Sequence, residues 1–286
     1  MKHESHSYWV IVTVKNGESV IKKTLDSIIS QSLKPSLVCI INDGSTDSTP
    51  DILSEIKKEN NDIIHIINLP DEGYDIRRIV HNWNKACEYV KNLGNEYDYL
   101  LISADDSIYP ESYVEKLVES MKKESSLVIA SGTRGLKASD YMSFPEGSGR
   151  MIRMSFFKKI GFYFPPYYGY ESWILYKALQ LGYKIKKLND LEYKHSRLFG
   201  SGHQFIEYGP MMRCLGYHPL FVIARVLRNI FIHNTGISAR ASFRMLLDYI
   251  QKNKWKNDPY YHFFEPDLRQ FIRALQMKRL LSKFRI

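Results

Sequence analysis

The sequence is poor in cysteine, with three residues in 286, Cys39, Cys87 and Cys214. They stand far apart, in neither a metal-ligand spacing nor a disulfide framework, which predicts a reducing, cytoplasmic setting. No apolar run reaches the roughly 20 residues that a spanning helix needs, so no built-in membrane anchor is expected. The opening MKHESHSYWVIVTVK has an acid before a short apolar stretch that stops at Lys15. That is a first strand and not a secretion signal. Internal repeats and low-complexity tracts are also missing. A content of 44% hydrophobic and 25% charged residues excludes global disorder.

Net charge is missing from most of the chain as well. Residues 1–204 hold equal numbers of basic and acidic side chains. Residues 205–286 hold 14 of the 40 Lys/Arg and only 5 of the 31 Asp/Glu, so the whole net charge of +9 lies there. A neutral body with a basic tail predicts a tail that meets something anionic, either lipid headgroups or nucleic acid.

What is present is an alternation of two hydrophobic periods. YWVIVTV (8–14) is a continuous β-branched run, as in a strand buried on both faces. Val20, Ile21, Leu25, Ile28 and Ile29 then follow helix spacing. LVCII (37–41), a helix opened by Thr49 and Pro50, IIHII (63–67), a helix from about 75 to 91, YDYLLIS (97–103), a helix after Pro110 and LVIAS (127–131) continue the pattern. The reading is an α/β fold with right-handed crossovers and a mostly parallel sheet flanked by helices. Residues 132–170, rich in Gly and aromatics, interrupt it. A helix at 171–181 and strand-like pieces through Lys194 follow.

Ligands of such sheets bind beyond the carboxyl ends of the strands. After the second strand comes Asn42-Asp43-Gly44-Ser45-Thr46-Asp47, which reads either as a turn with helix-capping side chains or as a carboxylate aimed at a nucleotide base. After the fourth strand comes Ser103-Ala104-Asp105-Asp106-Ser107. Adjacent carboxylates at the end of a buried strand repel each other. They are relieved by capping a helix or by a hard cation such as Mg²⁺ or Mn²⁺ with a diphosphate.

These residues carry a family resemblance. VIVTVKNGESVIKKTLDSIISQSLKPSLVCIINDGSTDSTPDIL resembles the opening of family 2 glycosyltransferases, inverting enzymes of the GT-A fold. The likeness runs on through ADDSIYPESYVEKL, GSGRMIRMSFFKKIGFY and YESWILYKALQLGYKI, about residues 8–200. It implies a GT-A catalytic domain over 1–204, followed by a basic helical extension over 205–286. It further implies that Thr13 lies against the nucleobase, that Asp43 accepts a hydrogen bond from the base, and that Arg78, or its neighbour Arg77, steadies the nucleotide. Asp105 would face the ribose and Asp106 the Mn²⁺ or Mg²⁺ that bridges the donor phosphates. Relatives often carry one more Asp where this chain has Ser103. Their catalytic base is an Asp at the start of the helix matching 171–181, and Glu171 is the carboxylate here. Asp140 and Glu146 are next in line should it fail. His195 is implied as a further metal ligand, with His203 behind it. Separately, Gly200 and Gly202 permit hinge-like motion, so the segment SRLFGSGH is expected to close over the donor.

Two stretches of the tail are amphipathic. YHPLFVIARVLRNIFI (217–232) is too short to span a bilayer. LRQFIRALQMKRLLSKF (268–284) sets Leu268, Phe271, Ile272 and Leu275 apart from Arg269, Arg273 and Lys278. Such helices either lie in a headgroup layer or pack against protein. The expectation is a cytoplasmic glycosyltransferase, peripheral to the inner face of the cell membrane. It would use a UDP- or GDP-linked donor and a glycan or lipid-linked acceptor. A nucleotidyltransferase is the alternative within the class, although VTVKNGES offers no convincing phosphate loop. A nucleic-acid-binding or scaffolding module is the alternative outside it, and no nucleic-acid motif supports that.

Overall fold

The computed structural model describes residues 6–73, 75–134, 144–197, 207–231 and 237–284. By these residues the chain forms two compact units. One comprises 6–134, 144–164 and 183–197, and the other comprises 165–182 and everything described from 207 onward.

The first unit is built on β1 (Tyr8–Val14), every residue of which but Thr13 is buried. α1 (Ile21–Ile29) leads to β2 (Leu37–Asp43), and α2 (Thr49–Glu59) to β3 (Ile64–Leu69). A 3-10 turn, Ile76–Arg78, opens α3 (Ile79–Leu93), which Gly94 ends in the left-handed conformation. β4 (Tyr99–Ala104), the short β5 (Ser107–Ile108), α4 (Tyr113–Lys123), β6 (Leu127–Thr133), β7 (Arg150–Arg153) and α5 (Met154–Lys159) follow. In the second unit lies α6 (Tyr170–Gln180), after which β8 (Lys184–Glu192) and β9 (Lys194–His195) rejoin the first.

The seven-stranded sheet has the order β3-β2-β1-β4-β7-β6-β8. Only β7 runs against its neighbours β4 and β6; the other pairs are parallel. The mostly parallel α/β sheet is therefore as expected, but the antiparallel β7 falls within 132–170, where the sequence pattern breaks. RMIR is short and begins and ends on Arg, so it shows no apolar run. Arg150 is nevertheless buried, and Arg153 donates to the Met121 and Leu127 carbonyls.

The second unit continues with α7 (Tyr208–Cys214), α8 (Pro219–Phe231), α9 (Ala239–Ile250), a 3-10 turn Lys252–Trp255 and α10 (Pro266–Phe284). α10 packs on α6 and on α8. Its Leu268, Ile272 and Gln276 are fully buried, so of the two settings open to 268–284 its apolar face takes the protein interior. α6 buries Trp173, Ile174, Leu175 and Tyr176 in the same unit. Trp173 stacks on Phe264, the Tyr176 and Tyr217 hydroxyls meet at 2.8 Å, and Tyr168 donates to Asp258. The helix that carries Glu171 thus groups with the C-terminal helices, whereas the sequence division at 204 puts it with the sheet.

Candidate active site

The register of β1 sets the site. Thr13 pairs with Ile41 of β2 and with Ala104 of β4, so the three strands end level with one another. Thr13, Asp43, Asp105 and Asp106 are thereby brought to one edge of the sheet. That is where an open α/β sheet holds its ligand.

Asp43 closes β2 with its side chain about 10% exposed, and Arg78 Nη2 reaches its two oxygens at 3.3 and 3.2 Å. Arg78 also donates to Glu72 at 2.9 Å and to the Gly73 carbonyl at 2.6 Å. Burial disfavours the guanidinium charge, but Asp43 and Glu72 together more than restore it, so Arg78 is held above its usual range. Arg77 instead forks onto Asp75 beside it, so of the two arginines it is Arg78 that meets Asp43. Lys15, just past β1, donates to the carbonyls of Asp43 and Gly44 and to Asp71. That bond holds the exposed Asp71 carboxyl below the usual range. The 16–18 and 45–49 segments are stitched together as well. Ser45, Thr49 and Asp47 side chains accept from the backbone N–H groups of Asn16, Gly17 and Glu18.

The second cluster joins residues almost 90 positions apart. Ser107 of β5 pairs with His195 of β9, which brings His195 Nδ1 to 2.8 Å from Asp106 Oδ1. Burial works against the Asp106 charge, yet the bond to His195 holds its carboxyl below the usual range. An ionised Asp106 only accepts, so His195 Nδ1 carries the proton. Its Nε2 is buried, with no hydrogen-bond partner among the described residues. Asp105 is pushed the other way: burial raises its pKa, and Arg197, donating at 2.9 Å, only partly offsets this. A Cβ on Gly17 would stand 2.5 Å from Val14 Cγ2 and 3.3 Å from Asp105 Oδ2, so this position packs closely against both. Ser103 is buried and accepts from Tyr109, which also meets Ser148.

Among the described residues no group of three or more His, Cys, Asp or Glu is placed to hold a metal ion. The Nδ1 bond leaves Nε2 of His195 on the far side of the ring from Asp106, so as placed the two do not converge on one cation; both would ligate it only with the imidazole turned. Carboxylate and imidazole donors then suit a cation whose other ligands are phosphate oxygens. Thr13 Oγ1 is likewise buried without a partner among the described residues. Glu171 lies in the first turn of α6, in the second unit. Glu146 is tied to Arg134 at 3.0 Å and lies 3.7 Å from Lys187. Asp140, Gly200, Gly202 and His203 lie outside the described residues.

Lys15 and Arg197 are the charged contacts that sequence reading missed. Lys15 carried a signal, because it directly follows a strand that ends at the ligand edge. Arg197 carried none, because its partner Asp105 lies 92 positions earlier.

The model of the family described as glycosyl transferase family 2 matches residues 9–177. EpsH of Bacillus subtilis (strain 168), named as a glycosyltransferase, is 29% identical over 130 residues, 44% of this chain and 33% of its own. Glycosyltransferase GlyA of Streptococcus pneumoniae serotype 4 is 30% identical over 155 residues, 53% of this chain and 20% of its own. The chain thus spans a third or less of the length of these relatives. Among solved structures, a mannosyltransferase of Pyrobaculum calidifontis in complex with GDP-Man and Mn²⁺ superposes with a TM-score of 0.59 at 15% identity, covering 98% of this chain and 76% of that one. TarS of S. aureus in complex with UDP-GlcNAc gives 0.54 at 16% identity, covering 85% and 71%. At these identities the likeness is one of fold, the GT-A arrangement of a mostly parallel sheet between helices. With more than half its length matched by the family model, the chain belongs to glycosyl transferase family 2.

Proposed function

We propose that the protein transfers a sugar, with inversion, from a UDP- or GDP-linked donor to an acceptor hydroxyl. The observation that carries this reading is the edge shared by β1, β2 and β4. It sets the Asp43–Arg78 pair and the Asp105–Asp106 pair together inside the stretch that the family model matches. Arg78 contacts Asp43 at no less than 3.2 Å, and a carboxylate has lone pairs to spare for an N–H of the base. Thr13 Oγ1 is an unused polar atom beside it. Asp105 would face the ribose, and Asp106 with His195 would hold Mn²⁺ or Mg²⁺. That cation, when bound, stabilises negative charge on the departing diphosphate. Glu171 is the proposed base. The acceptor oxygen attacks the anomeric carbon, its proton passes to the Glu171 carboxylate, and the bond to the diphosphate oxygen breaks with its electron pair.

The acceptor is a glycan or a lipid-linked molecule. The net charge of residues 205–286 supports a cytoplasmic protein resting on the anionic inner face of the cell membrane. No described helix is long and apolar enough to cross that membrane.

The test is sugar release from UDP- and GDP-sugars by the full chain with Mn²⁺, with and without chelator. Asp106→Asn should remove the metal dependence of donor binding. Glu171→Gln should keep donor affinity and lower transfer by about 10²–10⁴-fold. Near-normal transfer by Glu171→Gln would exclude Glu171 as the base, and metal-independent binding in the parent would exclude the cation.

A further inference from the structure

The second unit carries an apolar surface that its own packing leaves uncovered. α8 turns Phe221, Val222 and Val226 inward and leaves Leu220, Ile223, Leu227 and Phe231 exposed, Phe231 by 74%. Their spacing of three to four residues puts all four on one outer face. α9, which packs on α8, repeats the arrangement with Met245 inside and Phe243, Leu247 and Ile250 outside. These two helices hold seven of the twelve exposed large hydrophobic residues among those described. Scattered singly they would need no explanation, but two stripes on packed neighbours form the kind of patch that marks an interaction surface.

Charge identifies the partner. Arg240 and Arg244, both exposed, lie one turn apart beside the α9 stripe. Long basic side chains at such an edge lay their stems along apolar surface and keep the charged head in a polar layer. Residues 205–286 carry 14 Lys/Arg against 5 Asp/Glu, and Asp248, the acid 3.8 Å from Arg244, is itself buried. A second copy seated two-fold on this face would bring its own Arg240 and Arg244 into the same contact, and like charges brought together there oppose association.

We propose that the outer face of the α8–α9 pair is a docking surface for a bilayer with anionic headgroups. The two stripes enter the boundary between headgroups and acyl chains, and Arg240 and Arg244 meet lipid phosphates. The inference rests on the membrane reading above and names the surface that serves it. It replaces 268–284 in that role, because the apolar face of α10 is spent inside the unit. α10 packs on both α8 and α6, so the docked face and the helix bearing Glu171 belong to one body. The acceptor hydroxyl then belongs to a molecule held at the lipid surface.

The experiment is co-sedimentation of the full chain with vesicles of phosphatidylcholine, alone or mixed with phosphatidylglycerol. The parent is expected to pellet with the mixed vesicles and to be released as salt is raised. Leu227→Gln with Phe231→Gln, and separately Phe243→Gln with Leu247→Gln, change only exposed side chains, and unchanged thermal melting would establish their folding. Each pair should weaken partition about tenfold or more. Arg240→Gln with Arg244→Gln should erode the preference for anionic vesicles. Undiminished pelleting of both apolar variants would overturn the α8–α9 face while leaving the membrane reading standing. No pelleting of the parent would overturn both. A parent dimer that the same substitutions disperse, with no vesicle binding, would make the face a contact between copies and overturn the proposal. The readout is lipid partition, so a failure of sugar transfer would not move it.

Discussion

Gly44 shows how far one backbone position constrains the Asp43 end of the candidate site. Its φ is +64°, and a Cβ there would stand 2.4 Å from Asp71 Cα and 2.6 Å from the Pro70 carbonyl. Both are backbone atoms, so neither can swing aside. Gly44→Ala is expected to cost about 1–3 kcal/mol of stability and to loosen donor binding, because Asp43 and the Lys15 contacts flank it. Thermal denaturation and nucleotide titration of the same variant check both halves. Arg78→Lys keeps the charge and loses the fork that reaches Asp43, Glu72 and Gly73 together. Losing charge-assisted bonds worth about 1.5–3 kcal/mol should weaken donor affinity tenfold or more, whereas Arg77→Lys should change it little. Equal effects of the two would dissolve the distinction drawn from their contacts. The carboxylates of this site were legible because each directly follows a buried strand. Their cationic partners were less so, because pairing across the fold leaves no local trace: Arg197 looks like any arginine in a loop.

Among elements, the runs that sequence resolves best are those buried on both faces. β1 spans residues 8–14, as its unbroken apolar run predicts, and β2, β4 and β6 start within two residues of theirs. β5 and β9 have only two residues each, and no periodicity can mark them, yet their ladder is what delivers His195 to Asp106. β3 offers a test on the far side of the sheet. His65 stacks on Tyr89 of α3 with centroids 3.6 Å apart, and burial, aided by the charge of Lys57, lowers its pKa. The unfolded chain therefore binds more protons than the folded one just below the usual histidine value of about 6.5. Stability contributed here is full above that value and is lost as pH falls through the depressed folded value. His65→Phe keeps a stacking ring and removes the titration. Its denaturation midpoint should fall less than the parent's as pH drops below about 6.5, and parallel curves for the two would refute the assignment.

At the scale of the whole molecule, the division of the chain decides which fragment can stand alone. The sheet unit has its own core, built from β1, β2 and β4 and the helices against them. α6 has 11 residues, and an isolated helix shorter than about 12–15 residues is marginal in water. Its side chains find partners inside the second unit: Phe264 against the buried Trp173, Tyr217 against the buried Tyr176, and, at the surface, Asp267, which accepts from Gln180. A chain ended at residue 204 removes all three partners. Returning a buried large apolar side chain to water forfeits about 1.5–3 kcal/mol each, more than a lone helix of this length can supply. The truncated chain should keep slow amide exchange in β1, β2 and β4 and lose it across residues 170–180. Nucleotide affinity, proposed to draw on Asp43, Arg78 and Asp106, should persist, whereas transfer should vanish once the helix that carries the proposed base Glu171 is lost. Hydrogen exchange read beside nucleotide titration separates these expectations. Protection of α6 in the truncated chain would return that helix to the sheet and restore residue 204 as the boundary.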